Sequence, residues 1–248
     1  MGMSIQISPD QARATAYTDA VFAPLDHDHQ VERIAVGNET EVYCSDDRRF
    51  VIKLKPELGG DLRHALMHAR IMQAAAEQFI TCLGPDHTIH SAYVIARDAL
   101  GNVQVLVVQQ FVEDAVALDR VDYQALSAVE RKHIARQLRS IIRRSLQFYQ
   151  THGRMPDLYG RTSTSAAERA RLNRPWMLPL RLWSFLVQRN LLRSHNLMLT
   201  AAPERRIVLV DYDLVRRGWL YRRVYFAVRW LLFWRDRLLL WFMRQSHP

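Results

Sequence analysis

Residues 31–55 read VERIAVGNETEVYCSDDRRFVIKLK. Three strand-like runs lie in this stretch: Val31 to Val36, Glu41 to Cys44 and Phe50 to Lys55. Between them stand Gly37-Asn38-Glu39-Thr40 and Ser45-Asp46-Asp47-Arg48-Arg49, both turn chemistry. Short turns between consecutive strands predict an antiparallel meander. Upstream, residues 1–30 are polar and show no period, so they read as an N-terminal extension. Downstream, Gly59-Gly60 breaks the chain, and Asp61 to Phe79 follows with Leu62, Leu66, Ile71, Met72 and Ala75 near helical spacing. Gly84-Pro85 ends that helix. Thr88 to Ala96 and Val103 to Phe111, joined by the Ala99-Leu100-Gly101-Asn102 turn, read as a hairpin. Residues 31–112 therefore predict a five-stranded antiparallel sheet with one helix.

Beyond Val112 the pattern turns helical. Asp122 to Gln150 places Ile134, Leu138, Ile141, Ile142, Leu146 and Tyr149 on one side and stops at His152-Gly153. Ser163 to Glu168 has the composition of a helix start, and Arg174 to Leu192 is rich in Arg, Leu and Trp. Asn196 to Thr200 reads as a short strand, and Ile207 to Val210 as a buried strand ending at Asp211. From Gly218 the chain is helical and aromatic. The expectation is an α+β chain: a lobe over 31–112, a mainly helical lobe over 113–215, and a basic helix over 216–248.

The 248 residues are 49% apolar and 24% charged, which excludes wholesale disorder. The net charge of +9 hides a split. Residues 1–130 hold 10 Lys/Arg against 19 Asp/Glu, and residues 131–248 hold 24 against 6. A balance of +18 in the second part points to anionic partners. Lysine occurs only at Lys53, Lys55 and Lys132. The two cysteines, Cys44 and Cys82, read as free thiols rather than a disulfide framework. Met1 to Asp19 lacks a basic start followed by an apolar stretch, and no run reaches transmembrane length. A cytoplasmic location is expected, with a peripheral position at the inner membrane face left open.

The order of elements, with chemistry-bearing residues at set stations, resembles the protein-kinase-like superfamily over about residues 31–215. The resemblance is nearest to the aminoglycoside and choline kinases and the lipopolysaccharide-core sugar kinases. It implies a bilobal fold and transfer of phosphate from ATP, with Mg²⁺, to a hydroxyl of a small molecule or a lipid-linked sugar. Lys53, on the third strand, matches the lysine that holds nucleotide phosphates. An isolated Val-Ile-Lys also fits an ordinary surface strand. Gly37 and Asn38 stand where the phosphate-covering loop would be, with one glycine in place of three, and a plain hairpin explains them equally. Gln109 to Val112, with Phe111, matches the segment that meets adenine through backbone groups.

The most specific signal is Asn196-Leu197-Met198-Leu199 followed by Val208-Leu209-Val210-Asp211-Tyr212-Asp213. The resemblance makes Asn196 and Asp211 the magnesium ligands. The family's catalytic aspartate lies five residues before the asparagine, where this chain has Leu191. Asp157, in Met155-Pro156-Asp157-Leu158, follows the long helix as the catalytic loop should. It stands 39 positions before Asn196, so an insertion of about 34 residues, containing 164–192, would separate them. Pro156-Asp157 also fits a simple turn. The helix glutamate that should pair with Lys53 is not evident: aligning His68-Ala69-Arg70-Ile71-Met72 with the family pattern puts His68 in its place, so either another acid (Glu57, Asp61 or Glu77) pairs with the lysine or the site is degenerate. These departures leave a catalytically inactive kinase-like protein, docked at a membrane or a protein partner, as the alternative.

Residues 216–248 hold eight Arg, one Asp and nine aromatics. Arg222, Arg229, Arg237 and Arg244 share one helical face with Asp236, and Leu220, Val224, Leu231, Leu238 and Phe242 share the other. Two readings stand: an interfacial helix on an anionic membrane surface, or a helix packed on the second lobe with its arginines in water. No helix-turn-helix, zinc-finger or RNA-recognition signature accompanies the basic charge, which argues against nucleic acid. His64 and His68 have zinc-compatible spacing but no third ligand, so a solvated helix face is expected.

Overall fold

The computed structural model describes residues 6–7, 31–36, 41–45, 47–97, 103–160, 174–183, 189–212 and 219–245. It is a mixed α/β chain with two antiparallel sheets that divides into two compact units. The first comprises residues up to Glu77 with Ile89–Phe111, and the second Gln78–Thr88 with everything from Val112 onward. The boundary thus falls inside a helix, where sequence reading keeps 31–112 together.

The sheet of the first unit has six strands, one more than expected. They are β1 (Gln6–Ile7), β2 (Val31–Val36), β3 (Glu41–Ser45), β4 (Phe50–Gly60), β5 (Ser91–Arg97) and β6 (Val103–Gln110), in the order β1-β5-β6-β4-β3-β2. The extra strand, β1, pairs Gln6 with Arg97 and Ile7 with Ala96 at the sheet edge. Two residues carry no period, so nothing in residues 1–30 announces it. The Gly59-Gly60 pair does not end β4. The strand runs through it, with Gly60 opposite Val103 after a register shift beyond Lys55. One face of the sheet buries Phe50, Ile52, Ala92, Ala96, Leu106 and Val108. The β3–β4 turn is closed by the buried Ser45, whose Oγ donates to Asp47 Oδ1 at 2.6 Å and accepts from Phe50 N–H at 3.0 Å.

Helix α1 (Leu62–Leu83) buries Ala65, Ala69, Met72, Ala76, Phe79 and Leu83 and leaves Ile71 half exposed to solvent. The small side chains face inward because close packing rewards fit over size. His64 and His68 lie 6.5 Å apart by ring centroid, His64 is hydrogen-bonded to Asp61, and among the described residues no group of three or more His, Cys, Asp and Glu side chains is placed to hold a metal ion.

In the second unit, helix α2 (Ala128–His152) starts six residues later than the sequence pattern predicts. Ser127 accepts from Glu130 N–H while Glu130 accepts from Ser127 N–H, a reciprocal cap that satisfies two otherwise orphaned donors. Asp122 instead closes a turn, accepting from Gln124 N–H at 2.9 Å. Gly153 ends the helix with φ 64°, a left-handed conformation that suits glycine. The buried stripe is Ile134, Leu138, Ile141, Ile142, Ser145 and Phe148, while Leu146 and Tyr149 are half-buried.

The second sheet is small: β7 (Val116–Ala117), β8 (Leu197–Leu199) and β9 (Ile207–Leu209) in that order. Thr88, expected in a strand of the first sheet, makes a parallel bridge to Leu209. Helix α3 (Leu178–Trp183) and helix α4 (Trp219–Gln245) complete the described α-helices. Ser163 to Glu168 lies outside the described residues. Cys44 and Cys82 are both free thiols. No described helix is long and apolar enough to cross a membrane.

Candidate functional site

Strand β9 is held from several directions, and this fixes the path of the chain beyond it. The Gln137 amide, from α2, accepts from Ile207 N–H at 2.8 Å and donates to the Arg205 carbonyl at 2.7 Å. His87 hydrogen-bonds the Ile207 carbonyl through Nδ1 at 3.0 Å. Leu209 pairs with Leu197 of β8. Past the strand, Val210 N–H donates to the Asn196 carbonyl at 3.0 Å, so Asp211 leaves the hairpin beside Asn196.

The chain before Asn196 is stapled to the chain after Asp157. Ser194 is fully buried, and its Oγ donates to the Leu158 carbonyl at 2.6 Å while accepting from Leu197 N–H at 2.9 Å. His195 N–H donates to the Tyr159 carbonyl at 3.1 Å. The Asn196 side-chain Nδ2 donates to the Asp157 carbonyl at 2.8 Å. Residues 39 positions apart in the chain are therefore in direct contact. Gly160 makes this fit possible. Its φ is +72°, and a Cβ there would stand 2.6 Å from Asn196 Oδ1.

The Asp157 carboxylate is one-fifth exposed. Its Oδ1 accepts from Arg229 Nη2 at 2.8 Å, Tyr159 N–H at 3.1 Å and Gly160 N–H at 3.4 Å. Among the described residues all three of these bonds fall on Oδ1. Arg229 comes from α4 and is almost wholly buried, its guanidinium 4.2 Å from the Tyr159 ring centroid and 4.8 Å from that of Tyr225. Burial opposes the Arg229 charge, but Asp157 and the two tyrosines outweigh it and hold its pKa above the ordinary value. Burial, and then the Asp157 charge, push the Tyr225 hydroxyl up to about 12.

Further along α4, Asp236 is also buried. Its Oδ2 accepts from Tyr159 OH at 2.7 Å and Leu191 N–H at 3.2 Å, and its Oδ1 accepts from Arg235 Nη2 at 2.7 Å. Burial raises its pKa, with the Tyr159 hydroxyl and Arg235 working in the other direction. Helix α4 therefore anchors Asp157, Tyr159 and Leu191 through charges turned inward. Of the arginines on the face expected in water, Arg229 is turned into the unit rather than into water, and Arg237 is half-buried. Arg229 and Asp236 face the unit's interior, while Val224, Leu231, Leu238 and Phe242 stand exposed.

Of the other residues singled out by sequence, Lys53 is half-buried on β4, opposite Val42 and Val107 and on the sheet face away from Ile52. Gln109 is buried with its amide donating to Ser91 Oγ at 2.7 Å, and Phe111 N–H donates to the Arg49 carbonyl at 2.8 Å. Gly37 and Asn38 lie outside the described residues. Lys53, Gln109 and Phe111 belong to the first unit, and Asp157, Asn196 and Asp211 to the second. Sequence reading passed over Ser194, Gly160, Tyr159, Arg229 and Asp236 as site residues. The signal that could have found them was Asp236 itself, the lone acid in an arginine-rich tail and seven residues from Arg229.

No family model matches the chain, and no curated protein matches it significantly. Among solved structures it is similar to the GDP complex of a mutant aminoglycoside 2′-phosphotransferase IIIa, at 13% identity and a TM-score of 0.34. The match covers 72% of this chain and 52% of that one, so the chain spans about half the length of that protein. At this level the similarity carries no weight for activity or substrate.

Proposed function

We propose that this chain is a kinase-like phosphotransferase that moves the terminal phosphoryl group of ATP onto a hydroxyl of a small molecule or a lipid-linked sugar. The observation that carries the reading is the hydrogen bond from Asn196 Nδ2 to the Asp157 carbonyl. It joins the proposed base to a proposed metal ligand, with Asp211 next in line through Val210.

The donor set suits Mg²⁺. Because Asn196 Nδ2 is spent on Asp157, its other side-chain atom is an oxygen, and Asp211 adds a carboxylate. Two hard oxygens, with the remaining positions left to phosphate and water, are what Mg²⁺ takes in nucleotide sites. Bound there, it would offset charge on the phosphate oxygens. Lys53 would add a second positive charge. Asp157 Oδ2 would accept the proton of the acceptor hydroxyl, with Oδ1 held by Arg229 so that the carboxylate keeps its direction. Backbone carbonyls of 109–112 would meet adenine, since the Phe111 N–H is already committed. Positioning and charge neutralisation would supply most of the rate. The test is label transfer from radioactive ATP to a panel of amino sugars, choline-like alcohols and lipid-linked sugars, with Asp157→Asn as control. Transfer by the native chain and none by the variant supports the reading.

A second reading draws on the same carboxylate. The ion pair with Arg229 gives Asp157 a structural use, tying helix α4 to this loop, which favours a kinase-like protein that does not catalyse. If Asp157→Asn changes nothing because the native chain transfers no label to any acceptor, this second reading holds.

A further inference from the structure

Helix α4 buries Phe226, Leu232, Phe233 and Leu240 beside two charges. Its charges at Arg229 and Asp236 are buried, and its outer face carries Trp230, Leu231, Trp234, Leu238, Trp241 and Phe242, each at least 40% exposed. Exposed apolar side chains in such a continuous row are costly in water and mark a surface that is covered in use. Beside the row, α2 and α4 enclose a groove of about 860 Å³. Arg136, Arg139 and Arg143 line it from α2, and Arg237, Trp234 and Trp241 from α4. The Arg237 guanidinium sits 4.8 Å over the Trp234 ring. Four arginines and no acid line the groove.

We infer that this surface docks the protein on an anionic phospholipid bilayer. Helix α4 would lie in the interface with its tryptophans and leucines among the upper acyl chains, and the groove arginines would hold lipid phosphates. The chemistry is specific in three ways. Tryptophan prefers the depth of the headgroups, where its ring is half wet. Arginine keeps its charge there and pairs with phosphate oxygens in fixed geometry. The helix is too polar to cross a bilayer, so lying on it is the way left to bury the outer face. A second copy of the chain is a poorer occupant, because a two-fold contact would set these four arginines against their equivalents. Docking of this kind does not depend on phosphotransfer.

The experiment is flotation of the full chain with vesicles of pure phosphatidylcholine and of phosphatidylcholine mixed with phosphatidylglycerol, at low and high salt. The native protein is expected to float with the mixed vesicles, to stay in solution with pure phosphatidylcholine, and to weaken as salt rises. Trp234→Ser with Trp241→Ser, and separately Arg136→Glu with Arg143→Glu, should each reduce binding roughly tenfold or more while the circular dichroism stays native. If a variant fails to fold, quenching of the native protein's tryptophans by brominated lipid tails replaces it, and strong quenching is expected. No flotation with mixed vesicles, unchanged flotation of the folded variants, or absence of quenching would overturn the inference. So would full release of the protein by soluble glycerol phosphate, which would show a headgroup site rather than a bilayer. Self-association abolished by the tryptophan changes, without flotation, would assign the surface to a second copy.

Discussion

Arg229 and Asp157 are 72 positions apart in the chain and 2.8 Å apart in the fold, with the guanidinium almost entirely out of water. The contact makes the C-terminal helix part of the candidate site. An arginine so placed is stacked between two tyrosine rings and cannot leave without stranding a carboxylate beside Asn196.

Removing one partner of a buried pair leaves the other uncompensated. Arg229→Met should therefore cost about 3 kcal/mol, the lower end of the usual range because Asp157 is partly wet. Arg229→Met combined with Asp157→Asn should cost less than the two single changes summed. Urea unfolding of the four proteins measures the coupling. Strict additivity would mean that the pair contributes nothing.

Gly153 and Gly160 both have positive φ, yet a Cβ at Gly153 meets nothing within 4 Å, while one at Gly160 meets Asn196. Gly153→Ala should cost about 1 kcal/mol, the backbone penalty alone. Gly160→Ala should cost more than that and should also lower the proposed phosphotransfer, by displacing the Asn196 amide from Asp157. Equal costs would show that the Asn196 contact is not tight.

What the sequence made legible depended on the length of the pattern. Helix α2 was readable because four core positions, Ile134, Leu138, Ile141 and Ile142, recur at helical spacing. Strand β1 and strand β7 are two residues each and carry no period at all. Helix α4 was readable as a helix with two faces, but not in which face turned inward. Its pattern is apolar on nearly every side, so hydrophobicity could not choose. Stacking and ion pairing let Arg229 and Asp236 take the interior. The contact of Asp157 with Asn196 is not legible in the sequence, because no local pattern reports a meeting across 39 positions; the family resemblance assigns each a role without bringing them together.

His87 is buried and its pKa is lowered, chiefly by loss of water, although its bond to the Ile207 carbonyl works against the shift. The unfolded chain then binds a proton more readily than the folded one below about pH 6.5. Stability should fall as pH drops from there through the folded pKa. His87→Gln, which keeps a donor for Ile207, should flatten that slope. Melting temperatures from pH 8 to pH 5, as rough limits around the ordinary histidine value, test it. A native curve as flat as the variant's would contradict the assignment.

Asp236 has the opposite sense. Its pKa is raised by burial, so its contribution is present in full below the ordinary carboxylate value and is lost as pH rises through the folded one. The stability gap between the native chain and Asp236→Asn should narrow between mildly acidic and neutral pH. Asp236→Ala, which leaves Tyr159 OH and Leu191 N–H without an acceptor, should cost more than Asp236→Asn at every pH. Equal melting temperatures for the two variants would contradict this.

The proposed chemistry rests above all on Asn196 and Asp211 presenting oxygens to a magnesium nucleotide. Thermal unfolding with ATP, in the presence and absence of Mg²⁺, tests this most directly. ATP with Mg²⁺ is expected to raise the melting temperature of the native chain, ATP alone to do so less, and Asp211→Ala to abolish the difference. A native melting temperature unmoved by ATP with Mg²⁺, or a magnesium-dependent rise that survives in Asp211→Ala, would contradict it.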